Sequence, residues 1–243
     1  MDGPKDILFI ISKDLPVAQQ SLTAGIRIAE YEFGSGDRAG LVALDRKPKL
    51  EAPLTGDIRL VFRRLEETSR SRGISPPKQH TLYDAVLLGV QSLPAENGNR
   101  SSHIVVFTMF PERKSKAKAA EVVAAAASRR VVIDGVVLAP KYLAQEVKRE
   151  LGLDAVAADD DLRALSNPTG GESRIEEPSG YLLRQALARI RSRFQVIGAT
   201  KGNGPVSLRL TAEGKIKYRD LEFRILSDET SPAMADPGWG ERR

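Results

Sequence analysis

Asp6-Ile7-Leu8-Phe9-Ile10-Ile11, running straight into Ser12-Lys13-Asp14-Leu15-Pro16, is the stretch on which the fold turns. Its apolar run is too uniform for a strand with one wet face and too short for an ordinary helix. Such a run reads as a strand buried on both faces, and the proline-bearing loop ends it. Ile104-Val105-Val106-Phe107-Thr108 repeats the pattern and runs into Met109-Phe110-Pro111. Working outward, 39–45, 131–139 and 173–176 read as further strands. Between them lie amphipathic stretches at 17–31, 57–68, 81–93, 115–128, 141–151 and 179–191. Strands alternating with helices over short connections predict an open, mostly parallel sheet covered on both faces: a three-layer αβα sandwich. Lys49-Leu50-Glu51-Ala52-Pro53-Leu54 breaks the alternation, and its proline suits an antiparallel edge strand.

After about 192 the pattern changes. Phe194 to Ile197, Val206 to Leu210 and Ile216 to Ile225 read as three strands, joined by turns at Lys201-Gly202-Asn203-Gly204 and Ala212-Glu213-Gly214. The expected organisation is one domain over 1–200, a C-terminal β extension over 201–226, and a Ser-, Pro- and Gly-rich tail over 227–243 that reads as disordered.

Bulk properties narrow the function. The chain has 243 residues, 41% of them hydrophobic, which suffices for a sizeable core. No apolar run is long enough to cross a bilayer. The start, Met1-Asp2-Gly3-Pro4, lacks the basic segment of a signal peptide. A core strand beginning by Asp6 favours a domain excised from a longer precursor, which would be extracytoplasmic; otherwise the chain is expected to be cytoplasmic. The absence of cysteine removes disulfides and thiolate metal sites. The net charge is +5, but Lys and Arg are scattered over several helices and aromatics make up only 5% of residues. That is the pattern of solvated helix faces, not of a nucleic-acid surface.

The motifs in order are Asp6 to Ile11, Gly36-Asp37-Arg38-Ala39-Gly40-Leu41-Val42, Pro53-Leu54-Thr55, Thr81-Leu82-Tyr83-Asp84-Ala85, Val105-Val106-Phe107-Thr108 and Thr169-Gly170-Gly171, followed by Arg193-Phe194-Gln195-Val196-Ile197 and two strands. With this order and spacing, the chain resembles a von Willebrand factor A domain over about 6–226, and more closely the A-like domains common in acidobacterial proteins. The resemblance implies a Rossmann-like sandwich and a metal-ion-dependent adhesion site. That site joins an Asp-x-Ser-x-Ser loop, a Thr ahead of a helix and an Asp after the central strand. Such oxygens hold Mg²⁺ octahedrally and leave one position for a partner's carboxylate. Here the family's Asp is Ser12, its two Ser are Asp14 and Pro16, its Thr is Thr81, and its distal Asp is Met109. Two carboxylates become one, and a thioether is unsuited to a hard cation. The site is expected to be degenerate and to bind no metal or other cofactor.

Other candidates have plainer readings. Thr81 to Asp84 resembles a capping box, with Thr81 as N-cap and Asp84 reaching back. Asp159-Asp160-Asp161 lacks the interleaved ligands and turn glycine of a calcium loop and reads as the start of a helix continuing through Leu162 to Leu165. Gly34 to Gly40 precedes a strand instead of following one, so it reads as a turn and not as a nucleotide loop. No serine elbow or cysteine accompanies His80 and His103 to make a triad, and His80 reads as an exposed loop residue, with a partner contact as the sharper option. Arg184, Arg189, Arg191 and Arg193 near the end of the last helix suit its dipole, with a docking patch for an acidic partner as the sharper option.

The function expected is a non-enzymatic, adhesion-type protein-interaction module of the kind this resemblance implies. Its contact residues are Lys13, Asp14, His80, Thr81, Met109 and Phe110. Exposed, Met109 and Phe110 would offer hydrophobic contact in place of a metal-bridged carboxylate; folded inward, they fill the vacated cavity. The alternatives are a structural domain of a larger secreted or envelope protein, and an α/β enzyme.

Overall fold

The computed structural model describes residues 3–12, 29–69, 80–95, 100–141 and 143–192. The chain divides into units at 1–197 and 198–243, and every described residue belongs to the first. The expected C-terminal strands and tail lie outside the described residues, as does most of the expected helix over 17–31.

Six strands form one sheet: β1 (Lys5–Ser12), β2 (Arg38–Leu44), β3 (Lys49–Thr55), β4 (Ser101–Thr108), β5 (Val131–Leu138) and β6 (Ser173–Glu176). Their order across the sheet is β3-β2-β1-β4-β5-β6. β1 sits in the middle, parallel to β2 with Ile7 opposite Ala39 and parallel to β4 with Ile7 opposite His103. β5 and β6 continue in parallel. Among the described strands only β3 runs antiparallel, against β2, with register shifts that mark bulges. The three-layer fold and the Pro53-bearing edge strand are both as the sequence predicts.

The helices are α1 (Ile58–Ser69), α2 (Leu82–Ser92), α3 (Ala119–Ser128), α4 (Gln145–Leu151), α5 (Ala155–Ser166) and α6 (Leu182–Ser192). Successive side chains of a strand point to opposite faces, so β1 feeds two cores. Ile7, Phe9 and Ile11 pack with Val61, Phe62 and Leu65 of α1 and Leu183, Leu187 and Ile190 of α6. Leu8 and Ile10 pack with Val86 and Val90 of α2, Val122 of α3 and Leu162 of α5. Gly171 lies so close to β5 that a Cβ there would sit 1.8 Å from the Ile133 carbonyl oxygen.

Helix α5 corrects one expectation. It begins at Ala155, where the Asp154 carboxylate accepts the Ala157 N–H at 3.0 Å. Asp159, Asp160 and Asp161 therefore lie inside the helix, not at its start. Asp159 accepts the Ser173 hydroxyl at 2.6 Å and pairs with Arg163 one turn on. The docking patch of arginines is also corrected. Arg184 pairs with Glu32 at 2.8 Å, Arg189 with Glu176 at 3.1 Å, and Arg191 with Asp37. These cations fasten α6 to its neighbours, and Arg193 lies outside the described residues.

At the amino end of the sheet the buried Asp6 carboxylate is gripped from two sides. Arg38 donates to both of its oxygens, at 2.9 and 2.6 Å, and Arg100 Nε donates at 2.8 Å. Burial opposes the charge on Asp6, but the hydrogen bonds from Arg38 and Arg100 outweigh it and hold the carboxyl below its ordinary 3.8.

Candidate functional site

The carboxyl ends of parallel strands are where open α/β sheets place their ligands. Here that end is built by Ser12 closing β1, by the β2–β3 hairpin at 45–48, by the start of α2, and by the segment from Met109 to Lys118 between β4 and α3. Lys13, Asp14 and Pro16 lie outside the described residues.

Ser12 is 0% exposed, His80 1%, Thr81 5%, Met109 7% and Phe110 1%. Met109 and Phe110 turn inward and join the core that contains Phe9 and Leu183. Of the two arrangements open to them in the sequence, this is the cavity-filling one. The turn is fixed by Thr108, which is buried at the strand end. Its hydroxyl accepts the Phe110 N–H at 3.1 Å and lies 3.2 Å from His80 Nε2. His80 Nδ1 is 3.1 Å from the Pro111 carbonyl. A carbonyl only accepts, so the neutral ring carries its proton on Nδ1, and the one Thr108 hydroxyl proton is shared between His80 Nε2 and the Phe110 carbonyl, 3.0 Å away. His80 and Arg113 exchange backbone hydrogen bonds at 3.1 and 2.7 Å, tying the start of α2 to the loop after β4. Burial, with a smaller push from the Arg113 charge, lowers the His80 pKa to about 4 against the bond to Pro111. His80 is a neutral clasp under the surface and not an exposed loop residue.

Thr81 precedes the first residue of α2, the N-cap position, but its hydroxyl makes no cap bond. It donates instead to the Asp45 carbonyl at 2.9 Å. Asp84 does not reach back either: its carboxylate accepts the N–H groups of Lys116, at 3.0 and 3.1 Å, and Ala117, at 2.8 Å. The expected capping box is replaced by a cap from another loop. The Tyr83 N–H donates to Glu112 at 3.1 Å and the Asp84 N–H to the Ser115 hydroxyl at 3.2 Å. A carboxylate at a helix amino end is favourable whichever part of the chain supplies it. Glu112 is held by its own bonds to Ser115, at 2.6 and 2.8 Å, while its N–H and the Tyr83 hydroxyl both bond to Asp161. Burial and the charges of Asp161 and Glu112 push the Tyr83 pKa up, so its hydroxyl stays a donor. Glu112 and Asp161 are the residues that sequence reasoning missed; neither stands in a local pattern that announces a cap.

The position after β4 offers a buried sulfur, a poor ligand for a hard cation, while the Thr81 hydroxyl donates its proton to the Asp45 carbonyl and keeps its lone pairs. Among the described residues no group of three His, Asp or Glu side chains is placed to hold a metal ion.

What this end does present is charge. Arg46, Lys47 and Pro48 from the hairpin, Thr81 and Asp84 from α2, and Lys114 and Lys116 from the loop after β4 line an open cleft of about 720 Å³. All four cations are exposed. Lys114 adopts a left-handed backbone, φ 78°.

Several solved structures share this architecture. One is the conserved hypothetical protein BatB from Bacteroides thetaiotaomicron, with a TM-score of 0.56 and 14% identity over 77% of this chain and 97% of that one. Another is a von Willebrand factor type A protein from Catenulispora acidiphila, with a TM-score of 0.54 and 11% identity over 78% of this chain and 42% of that one. The chain has a von Willebrand factor A fold. A third similar structure is proximal thread matrix protein 1 of the mussel byssus, determined with a zinc-occupied adhesion site. Its TM-score is 0.54 and its identity 11%, over 78% of this chain and 48% of that one. The chain thus spans nearly all of the first structure and under half of the other two. No family model and no curated protein matches the sequence. At these identities the likeness establishes the A fold alone. No described helix is long and apolar enough to cross a membrane.

Proposed function

We propose that the chain is a non-enzymatic protein-interaction module whose contact face is the carboxyl end of its sheet, and that this face works without a bound metal ion. The observation that carries the reading is the fate of the strand end after β4. Where an adhesion site of this fold needs an oxygen ligand, this chain has Met109, buried in the core. The groups most apt for chemistry support the same reading. His80 is sealed below the surface between Thr108 and Pro111, and Tyr83 is held protonated, so neither is poised as a general base near neutral pH.

The test is thermal unfolding in Mg²⁺, in Mn²⁺ and in EDTA. The midpoint is expected to be the same in all three. A metal-dependent rise abolished by Asp14→Ala or Thr81→Val would overturn the metal-free reading, since a ligand that binds only the native state must raise its stability.

A further inference from the structure

We infer that the cleft formed by Arg46, Lys47, Lys114 and Lys116 is a docking site for an acidic peptide segment of a partner protein. This rests on the reading of the carboxyl end as a metal-free contact face and supplies the chemistry of its partner.

Among the described residues four cations and one carboxylate line the cleft, an excess of three positive charges. The carboxylate, Asp84, is held against the backbone N–H groups of Lys116 and Ala117. Two further acidic side chains nearby are hydrogen-bonded to the frame of the cleft. Asp45 accepts the Arg46 N–H at 2.6 Å, and Glu112 serves the start of α2 and Ser115. No carboxylate of a described residue lies within ion-pairing distance of the Lys47, Lys114 or Lys116 ammonium group. Elsewhere in the described residues many cations are matched: Arg38 and Arg100 with Asp6, Arg163 with Asp159, Arg174 with Glu172, Arg184 with Glu32. Lys47, Lys114 and Lys116, gathered in one concavity, focus their field outward and raise the local concentration of anionic partners.

The walls of the cleft are fixed. The hairpin is pinned by the bond from Thr81 to the Asp45 carbonyl, and the opposite loop is pinned on both sides of Lys114. Holding a non-glycine residue left-handed costs about 1 kcal/mol, and the flanking bonds from Ser115 to Glu112 and from Lys116 to Asp84 offset it. The cations are thus presented on a preformed frame, and little ordering is left to be done on binding.

The occupant follows from what lines the site. No aromatic side chain is among the described lining residues, so bases have nothing to stack on. Three of the four cations are lysines, point charges on flexible stems instead of planar forks. Their spread over two loops suits several carboxylates along an extended chain better than one compact phosphate.

The experiment measures fluorescence anisotropy of a labelled Glu-rich peptide with the intact chain, beside a peptide with Gln in place of every Glu, inorganic phosphate as competitor, and a labelled single-stranded oligonucleotide. The Glu peptide is expected to bind equally in EDTA and in Mg²⁺ and to weaken as NaCl is raised toward about 0.3 M, where screening shortens to a few ångströms. The Gln peptide is expected not to bind. The pair Lys47→Glu and Lys116→Glu, both exposed, is expected to weaken binding at least about tenfold with the unfolding midpoint and circular dichroism kept. Phosphate competing as well as the peptide, the oligonucleotide binding more tightly, equal binding of Glu and Gln peptides, or no loss in the double variant would each overturn the assignment. Such a failure with no metal effect on stability leaves the metal-free contact face standing. Binding of the Glu peptide only in Mg²⁺ overturns both.

Discussion

Acidification is expected to loosen this protein through one side chain, His80. The ring is buried between Thr108 and Pro111, and its pKa falls from 6.5 to about 4 in the native state. The unfolded chain therefore binds a proton that the native state refuses anywhere in that window. By linkage, stability then rises with pH, so the contribution is complete above 6.5 and is lost as pH falls toward about 4. At about 1.4 kcal/mol for each pH unit, the loss across the window is about 3 kcal/mol, a sizeable part of the roughly 5–15 kcal/mol that holds a domain folded. Asp6 acts in the same direction, but its carboxyl lies below 3.8, so its stabilisation is lost only at lower pH. The assay is urea unfolding at a series of pH values for the native chain and for His80→Gln, which keeps His103 and removes only the titrating ring at position 80. The difference in stability between the two should shrink by about 3 kcal/mol on going from pH 6.5 to about 4. Parallel pH curves for the two proteins would refute the reasoning.

Other expectations follow from the same geometry. Gly171→Ala should cost more than about 3 kcal/mol or prevent folding, because its Cβ meets the Ile133 carbonyl oxygen at 1.8 Å. Gly170→Ala, at φ 81° with open space around it, should cost only about 1 kcal/mol; urea midpoints of the two variants compare them. Phe110→Ala should destabilise by about 3–5 kcal/mol, as expected of a buried core ring and not of a contact residue. Lys114→Gly relieves the left-handed backbone, but the added freedom of glycine in the unfolded chain offsets most of the gain, so stability should change by less than about 1 kcal/mol while binding of the Glu peptide weakens. A variant that binds the Glu peptide as well as the native chain does would sink that account.

Much of the sheet was legible because its strands are buried on both faces, and a run such as Ile7 to Ile11 has few other readings. The edge strand was legible because Pro53 cannot serve a central ladder. Helix α5 was misplaced because the three aspartates at 159–161 drew the eye from Asp154, the residue that caps it. The capping box at Thr81 to Asp84 was a sound local reading defeated by distant residues: Asp45 takes the threonine, the Lys116 segment takes the aspartate, and Glu112 takes the helix end. The arginines of α6 read as serving the helix dipole or a docking patch because Glu32, Asp37 and Glu176, which pair with three of them, are remote in sequence. The basic cleft was illegible for the same reason, since Lys47 and Lys114 become neighbours only when the hairpin and the loop after β4 meet.

The sheet also acts as a bulkhead. The packing behind Thr81 and Asp84, with Leu82 and Ala85, belongs to the compartment on one side, while Met109 and Phe110, which lead into Lys114, belong to the other. The loop that carries Lys114 and Lys116 is therefore rooted in both, since it leaves Phe110 on one side and reaches Ala117 on the other. The His80–Arg113 backbone bridge and the bonds of Tyr83 to Glu112 and of Asp84 to Lys116 and Ala117 lash it to the start of α2. Damage to either apolar compartment would reach the same loop, so remote core substitutions can change the width of the cleft without touching a charge.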